Sequence, residues 1–276
     1  MKKICDLKEE KLYLNLKIIA MNSKNPFFSN KSFKNTSGVS SDNVTHHATV
    51  IDYNDTMTVS GTINKSFLML ILLIASAAIT WMLTFGGYNA MILTIGGAIV
   101  GFILVLIASF KPQYSTFLAP GYAVFEGLFI GGISALFETM YPGIVIQAVG
   151  ATFVTFMVCF ALYKYEIVKV TEKFKSIVIA ATLAIATYYL ITWLLSMFAS
   201  FQPVHYGNSW MSIGISVFVI VIAALNLFLD FDQIEKGVQN KLPKYMEWFG
   251  AMGLMITLVW LYVEFLRLLS KLASKD

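Results

Sequence analysis

The chain has 276 residues, of which 57% are hydrophobic and only 13% charged. A water-soluble domain carries about 25% charged residues, so most of this surface is not built for water and the class is a polytopic membrane protein. The formal net charge of +4 is no pointer to nucleic acid, since the lysines cluster beside apolar runs, where they set topology or meet anionic headgroups.

Residues 1–65 are polar, rich in Ser, Asn and Lys, and lack sustained periodicity. They predict a mobile cytoplasmic tail. The opening MKKICDLKEEKLYLNLKIIA is interrupted by acidic residues and has no long apolar core, so it does not read as a signal peptide. Met21 begins a second candidate start, MNSKNPFFSNKSF. Asn-x-Ser/Thr triplets at Asn30, Asn35, Asn43 and Asn54 would carry no meaning on a cytoplasmic tail. Cys5 falls in this tail and Cys159 in an apolar run, so no structural disulfide is expected.

Residues 66–276 then present apolar segments close to the roughly 20 residues that cross the hydrocarbon core. The expected spans are 67–85, 90–110, 118–138, 144–163, 177–199, 211–230 and 247–269, a seven-helix transmembrane bundle. Short links bearing Gly86-Gly87, Pro112, Pro142-Gly143, Pro203 and Pro243 make sequential helices neighbours. Gly97–Gly101 and Gly127–Gly131 have the spacing that lets helices approach closely, read as packing within a monomer.

Lysines mark alternate loops: Lys111 in 111–117, Lys164, Lys169, Lys173 and Lys175 in 164–176, and Lys236, Lys241 and Lys244 in 231–246. The loops 86–89, 139–143 and 200–210 have no Lys or Arg, so the N-terminus is expected in the cytoplasm. The end RLLSKLASKD, with Arg267, Lys271 and Lys275, runs against that rule for seven crossings, so the last helix either crosses against it or is re-entrant.

Ionisable residues at membrane depth are costly and mark ion or proton pathways. Asp230, in NLFLDFDQIEKG, ends an apolar run, and Asn226 one turn earlier shares its helix face. Asp232 is expected at the cytoplasmic interface, solvated beside Lys236. Glu126 lies inside the third span, as a protonated buried carboxyl or as a pathway residue. Glu247 and Glu264 bracket the last helix, roughly 26 Å apart at 1.5 Å per residue. That puts Glu247 level with Asp230 and Glu264 near the opposite face, with Arg267 in reach of Glu264 at i+3. His46, His47 and His205 have no ligand spacing, so neither a metal nor a cofactor is predicted. No GxSxG, HExxH, Walker A or GxGxxG element supports an enzyme.

Several segments together carry a family resemblance: MTVSGTINKSF, APGYAVFEGLFIGGIS, YPGIVIQAVGATF, YKYEIVKVTEKFKSIVIAATL, NLFLDFDQIEKG and PKYMEWFGAMGLMITLVWLYVEFLRLLSKL. Over about residues 55–272 the chain resembles the Bax inhibitor-1 superfamily, in its bacterial YccA-like branch. The resemblance implies seven helices with the last one central, a bacterial inner membrane and a calcium leak gated by protons. It implies a hydrogen-bonded aspartate pair on helices six and seven. Asp230 matches the first aspartate, with Asp232 in place of the polar residue two positions on. An ungapped match puts Thr257 at the second position and a gapped match puts Glu264 there. Asp232, Glu247, Glu126 and the cation Lys111 are the alternative partners for Asp230. In this expectation protonated Asp230 holds helices six and seven together, and ionisation opens by repulsion a polar route lined by Glu126 and Asp230, with oxygen ligands suited to Ca2+. The resemblance also carries an alternative: a non-transporting protein that binds other membrane proteins, such as a quality-control protease, with the tail as its handle. A proton-coupled transporter ranks below both, because no discontinuous helix is visible.

Overall fold

The computed structural model describes residues 56–198, 207 and 209–274. Among the described residues there are seven α-helices: α1 (Val59–Phe85), α2 (Met91–Phe110), α3 (Ser115–Met140), α4 (Ile144–Lys164), α5 (Glu172–Phe198), α6 (Trp210–Gln239) and α7 (Met246–Ala273). A 3₁₀ turn, Pro112–Tyr114, leads into α3. All seven are long and apolar enough to cross a bilayer, and the protein is an integral membrane protein built as a helical bundle.

Three helices, α1, α5 and α6, are longer at the lysine-rich end than the apolar runs predict, with α5 starting at Glu172 rather than residue 177. The first helix starts at Val59 rather than residue 67, because Thr58 caps it by accepting the Gly61 amide at 3.0 Å. Helix α6 continues past Asp230 to Gln239, because its polar residues find partners on other helices and need no loop. Of the tail expected over 1–65, residues 1–55 lie outside the described residues, and 59–65 belong to α1.

Small residues set the packing of the first three helices. Helix α3 lies between α1 and α2. A methyl group on Gly127 would collide with Ser76 and the Leu73 carbonyl of α1, and one on Gly131 with the Ala77 carbonyl. On α2, Gly97 meets the backbone of Phe125 and Phe129 in α3. Both Gly-x-x-x-Gly pairs therefore work inside the monomer, as their spacing suggested. The Thr80 hydroxyl adds a bond to the Leu128 carbonyl at 3.0 Å. At the far end of α3, Glu138 turns back to accept the amides of Gly143 (2.6 Å) and Val145 (3.1 Å), capping α4 after the left-handed Gly143.

Helix α7 packs against α1, α3, α4 and α6. Its most apolar stretch is 50% buried, against 17% for those of α4 and α5. Three apolar clusters meet on it: Met69, Tyr122 and Met252 between α1, α3 and α7; Leu227, Phe231 and Leu261 between α6 and α7, with Cys159 of α4; and Ile130, Ala148 and Leu266 between α3, α4 and α7. Cys159 is a free thiol. Because α7 is one continuous helix of 28 residues, a crossing accounts for it and a re-entrant hairpin does not.

Gly131→Ala should lower thermal stability in detergent by an amount typical of overpacking, about 1–3 kcal/mol. Gly150, with open space around it, provides the contrast: Gly150→Ala should leave the midpoint unchanged or slightly higher. Equal midpoints for the two variants would contradict this packing.

Candidate functional site

Asp230 sits on α6 and faces α7. The Thr257 hydroxyl meets the Asp230 carboxyl group and donates its own hydrogen to the Gly253 carbonyl one turn earlier at 3.3 Å. The second oxygen, Oδ2, is sealed from solvent with no hydrogen-bond partner. No ion pair reaches Asp230 among the described residues. Of the partners considered from sequence, the structure brings Thr257 to it. Asn226 donates instead to Thr182 of α5 (2.8 Å) and to its own Ile222 carbonyl (2.8 Å), so the polar stripe of α6 bends toward α5.

The carboxylates nearer the lysine-rich end are already neutralised. Glu247 is 0% exposed and accepts the Thr58 amide at 2.9 Å and the Thr58 hydroxyl at 2.8 Å, while Lys65 forms its ion pair. Lys65 also lies over the Trp248 ring. The Met57 amide donates to the Leu242 carbonyl at 2.7 Å, so the segment before α1 is stitched to the α6–α7 turn. Asp232 is not the solvated residue expected from sequence. It is 9% exposed, and its Oδ2 pairs with Lys175 at 2.8 Å and Lys236 at 2.9 Å. The second lysine was legible at i+4; the first comes from α5 and buries the carboxylate. Lys111 is exposed at the α2–α3 link and makes no ion pair among the described residues. Asp232, Glu247 and Lys111 thus drop out as partners of Asp230.

At the opposite end of α7, Glu264 is 1% exposed. Its Oε1 accepts from Arg267 at 2.7 Å and from the Tyr189 hydroxyl of α5 at 3.3 Å, while Oε2 is buried without a partner. Arg267 also donates to Tyr189 at 3.0 Å and stacks over its ring. Lys271 is buried and donates to the Ser212 carbonyl (3.2 Å) and the Ser216 hydroxyl (2.7 Å) of α6. Two of the three C-terminal cations that strained the charge rule are therefore spent inside the bundle. Glu126, half-buried on α3, has its Oε2 where a side chain on Gly101 of α2 would reach, 3.1 Å from an added methyl. Glu126 and Glu264 line one cleft of about 300 Å³, walled by Tyr122, Phe129, Tyr189 and Trp260. Sequence reading treated these two acids separately; nothing local in the chain joins residues on α3 and α7. No group of three or more His, Cys, Asp or Glu side chains could hold a metal ion among the described residues.

A family model described as Bax inhibitor 1 like matches residues 25–274, most of the chain. A comparison with curated proteins finds no match.

The two lysine sites should respond differently to removal. Lys65→Met leaves Glu247 buried without a cation and should cost about 3 kcal/mol in a mixed-micelle unfolding titration. Lys236→Met leaves Lys175 on Asp232 and should cost under about 1 kcal/mol. The reverse order would show that Glu247 does not depend on Lys65.

Proposed function

This chain belongs to the Bax inhibitor-1-like family, and from that premise we propose that it is a proton-gated cation leak, with Ca2+ as the permeating ion and Asp230 as the gate. The observation that carries the reading is the buried, partnerless Oδ2 of Asp230 on the seam between α6 and α7. Charge at membrane depth must be met by water or a counter-ion, so ionisation of Asp230 and hydration of the seam are coupled. Protonated, Asp230 holds α6 to α7 through Thr257. Ionised, it draws in water and a cation and the seam opens. The lysine-bearing loops support placing the end with Lys111, Lys169 and Lys241 in the cytoplasm. The host membrane proposed is a bacterial inner membrane, with the protein as a monomer.

A second reading has its own observation. The chain enters the bundle at Thr56, bridged to Pro243, with Met57 bonded to Leu242. A membrane protein that gripped the preceding tail would pull on the α6–α7 turn, so the chain would act by binding and modulating partners. Deleting residues 1–50 separates the readings, since a leak survives that deletion and modulation through the tail does not.

In proteoliposomes, Ca2+ flux should be greater at pH 8 than at pH 6, because the open form is the ionised one and its share grows as protons are removed. Asp230→Asn, which cannot ionise, should stay at the low flux at both values. An Asp230→Asn variant that keeps the full pH response sinks the gate. Thr257→Asp places a second carboxylate opposite the first, and two coupled acids hold a shared proton more strongly. Its flux should therefore rise only at higher pH than in the parent; an unchanged pH profile would mean that residue 257 does not face the gate.

A further inference from the structure

The cleft lined by Glu126 and Glu264 includes neither Asp230 nor Thr257, and the gate proposed above does not use it. It runs along α7 between α3 and α5, with Tyr122, Glu126 and Phe129 on one wall, Tyr189 on the other, and Trp260, Glu264 and Arg267 on its floor. Two carboxylates and one guanidinium line it. Arg267 is committed to Glu264 Oε1 and to Tyr189, and Lys271, the next cation along α7, is held by Ser212 and Ser216 on α6 and does not line the cleft. That leaves Glu126 with no cation among the described residues and Glu264 Oε2, on a side chain 1% exposed, without a hydrogen bond. A buried acceptor such as Glu264 Oε2 is costly unless a donor meets it.

The walls restrict what that donor can be. A hard divalent ion needs six to eight oxygens about it, and the cleft offers two carboxylates and two phenols, with Tyr189 and one Glu264 oxygen already engaged. Four aromatic rings make up most of the remaining lining. A carboxylate beside aromatic faces suits an ammonium group on an apolar body, which gains both a charged hydrogen bond and attraction to the ring faces. A volume of about 300 Å³ is at the small end of ligand pockets. We propose that the cleft between α3, α5 and α7 is a binding site for a small organic ammonium ion, with Glu126 as the carboxylate that receives it and Tyr122, Phe129 and Trp260 as its apolar walls. The site does not depend on the leak reading, and its test involves no flux.

The experiment is calorimetric titration of the full chain in lipid nanodiscs, with empty nanodiscs subtracted. The probes are benzylammonium, its neutral isostere benzyl alcohol, and CaCl2. Saturable binding of benzylammonium but not of benzyl alcohol is expected, weakened about tenfold by Glu126→Gln, the size of one charged hydrogen bond. Gly150→Ala should bind as the parent does. If Glu126→Gln fails to fold, Phe129→Ala takes its place, and it should weaken benzylammonium while leaving methylammonium unchanged. The proposal is overturned by equal binding of benzyl alcohol, which would mark a merely apolar cleft. It is equally overturned by an unchanged affinity in Glu126→Gln, by no saturable binding at all, or by a site that takes only Ca2+.

Discussion

The polar side chains of α7 need partners inside the bundle, and the contacts they make there set how that helix sits among its neighbours, with Glu264 Oε2 left unmet. In the hydrocarbon core no water is available to replace a missing partner. Glu247 is met by Lys65 and Thr58 at the start of α1, Thr257 by Asp230 of α6, and Glu264 and Arg267 by Tyr189 of α5. Tyr262 shares a 2.7 Å hydrogen bond with Ser134 of α3, and Lys271 is taken by the serines at the start of α6. Apolar packing alone discriminates poorly among helix rotations when the surrounding lipid is as apolar as the interface. These contacts fix the rotation of α7 and, through it, the register of four neighbours.

The bundle divides into a tightly packed part and a more loosely tied part. Helices α1, α2 and α3 approach so closely at Gly97, Gly127, Gly131 and Gly132 that an added methyl group has nowhere to go. At Gly97, Gly127 and Gly131 a shift meets backbone, which leaves little room to yield, whereas Gly132 faces the Thr94 side chain. Helix α5 meets the rest through one apolar cluster, Ile185 against Val219 and Ile222 of α6, and through polar tips: Lys175 on Asp232, Thr182 with Asn226, and Tyr189 on Glu264. The α6–α7 seam holds Asp230 by one hydroxyl. The partnerless carboxylate oxygens, Asp230 Oδ2 and Glu264 Oε2, lie on this side of α7.

Composition and apolar run length made the class and the seven spans legible, because crossing a bilayer imposes a length and a polarity that no tertiary contact can alter. The two Gly-x-x-x-Gly pairs were legible for a similar reason, since helix spacing is a local property. Asp230 stood out as an acid next to an apolar run. Asp232 was misplaced because its burial depends on Lys175, a residue of another helix, and hydropathy along one segment carries no record of it. Lys65 and Glu247 are separated by most of the chain, and their pairing follows from how α1 and α7 are rotated. Arg267 could be assigned to Glu264 from its i+3 spacing, whereas Tyr189 could not. Lys271 was counted from sequence among cations free to meet headgroups, and the structure buries it against Ser216.

The residue opposite Asp230 changes what the seam can do. Two facing carboxylates can drive helices apart by repulsion once the shared proton is lost. An aspartate facing Thr257 has no such repulsion to use, because a hydroxyl is neutral in both states of its partner. Thr257 can keep its contact on ionisation by turning its one hydroxyl hydrogen from the Gly253 carbonyl to the carboxylate. Loss of the proton therefore does not break the α6–α7 contact directly. What changes is the demand of Oδ2 for a second donor, which no side chain in the seam supplies. In the proposed gate, opening is accordingly driven by solvation of one charge rather than by repulsion between two, and at Gly253 α7 presents no side chain to Asp230.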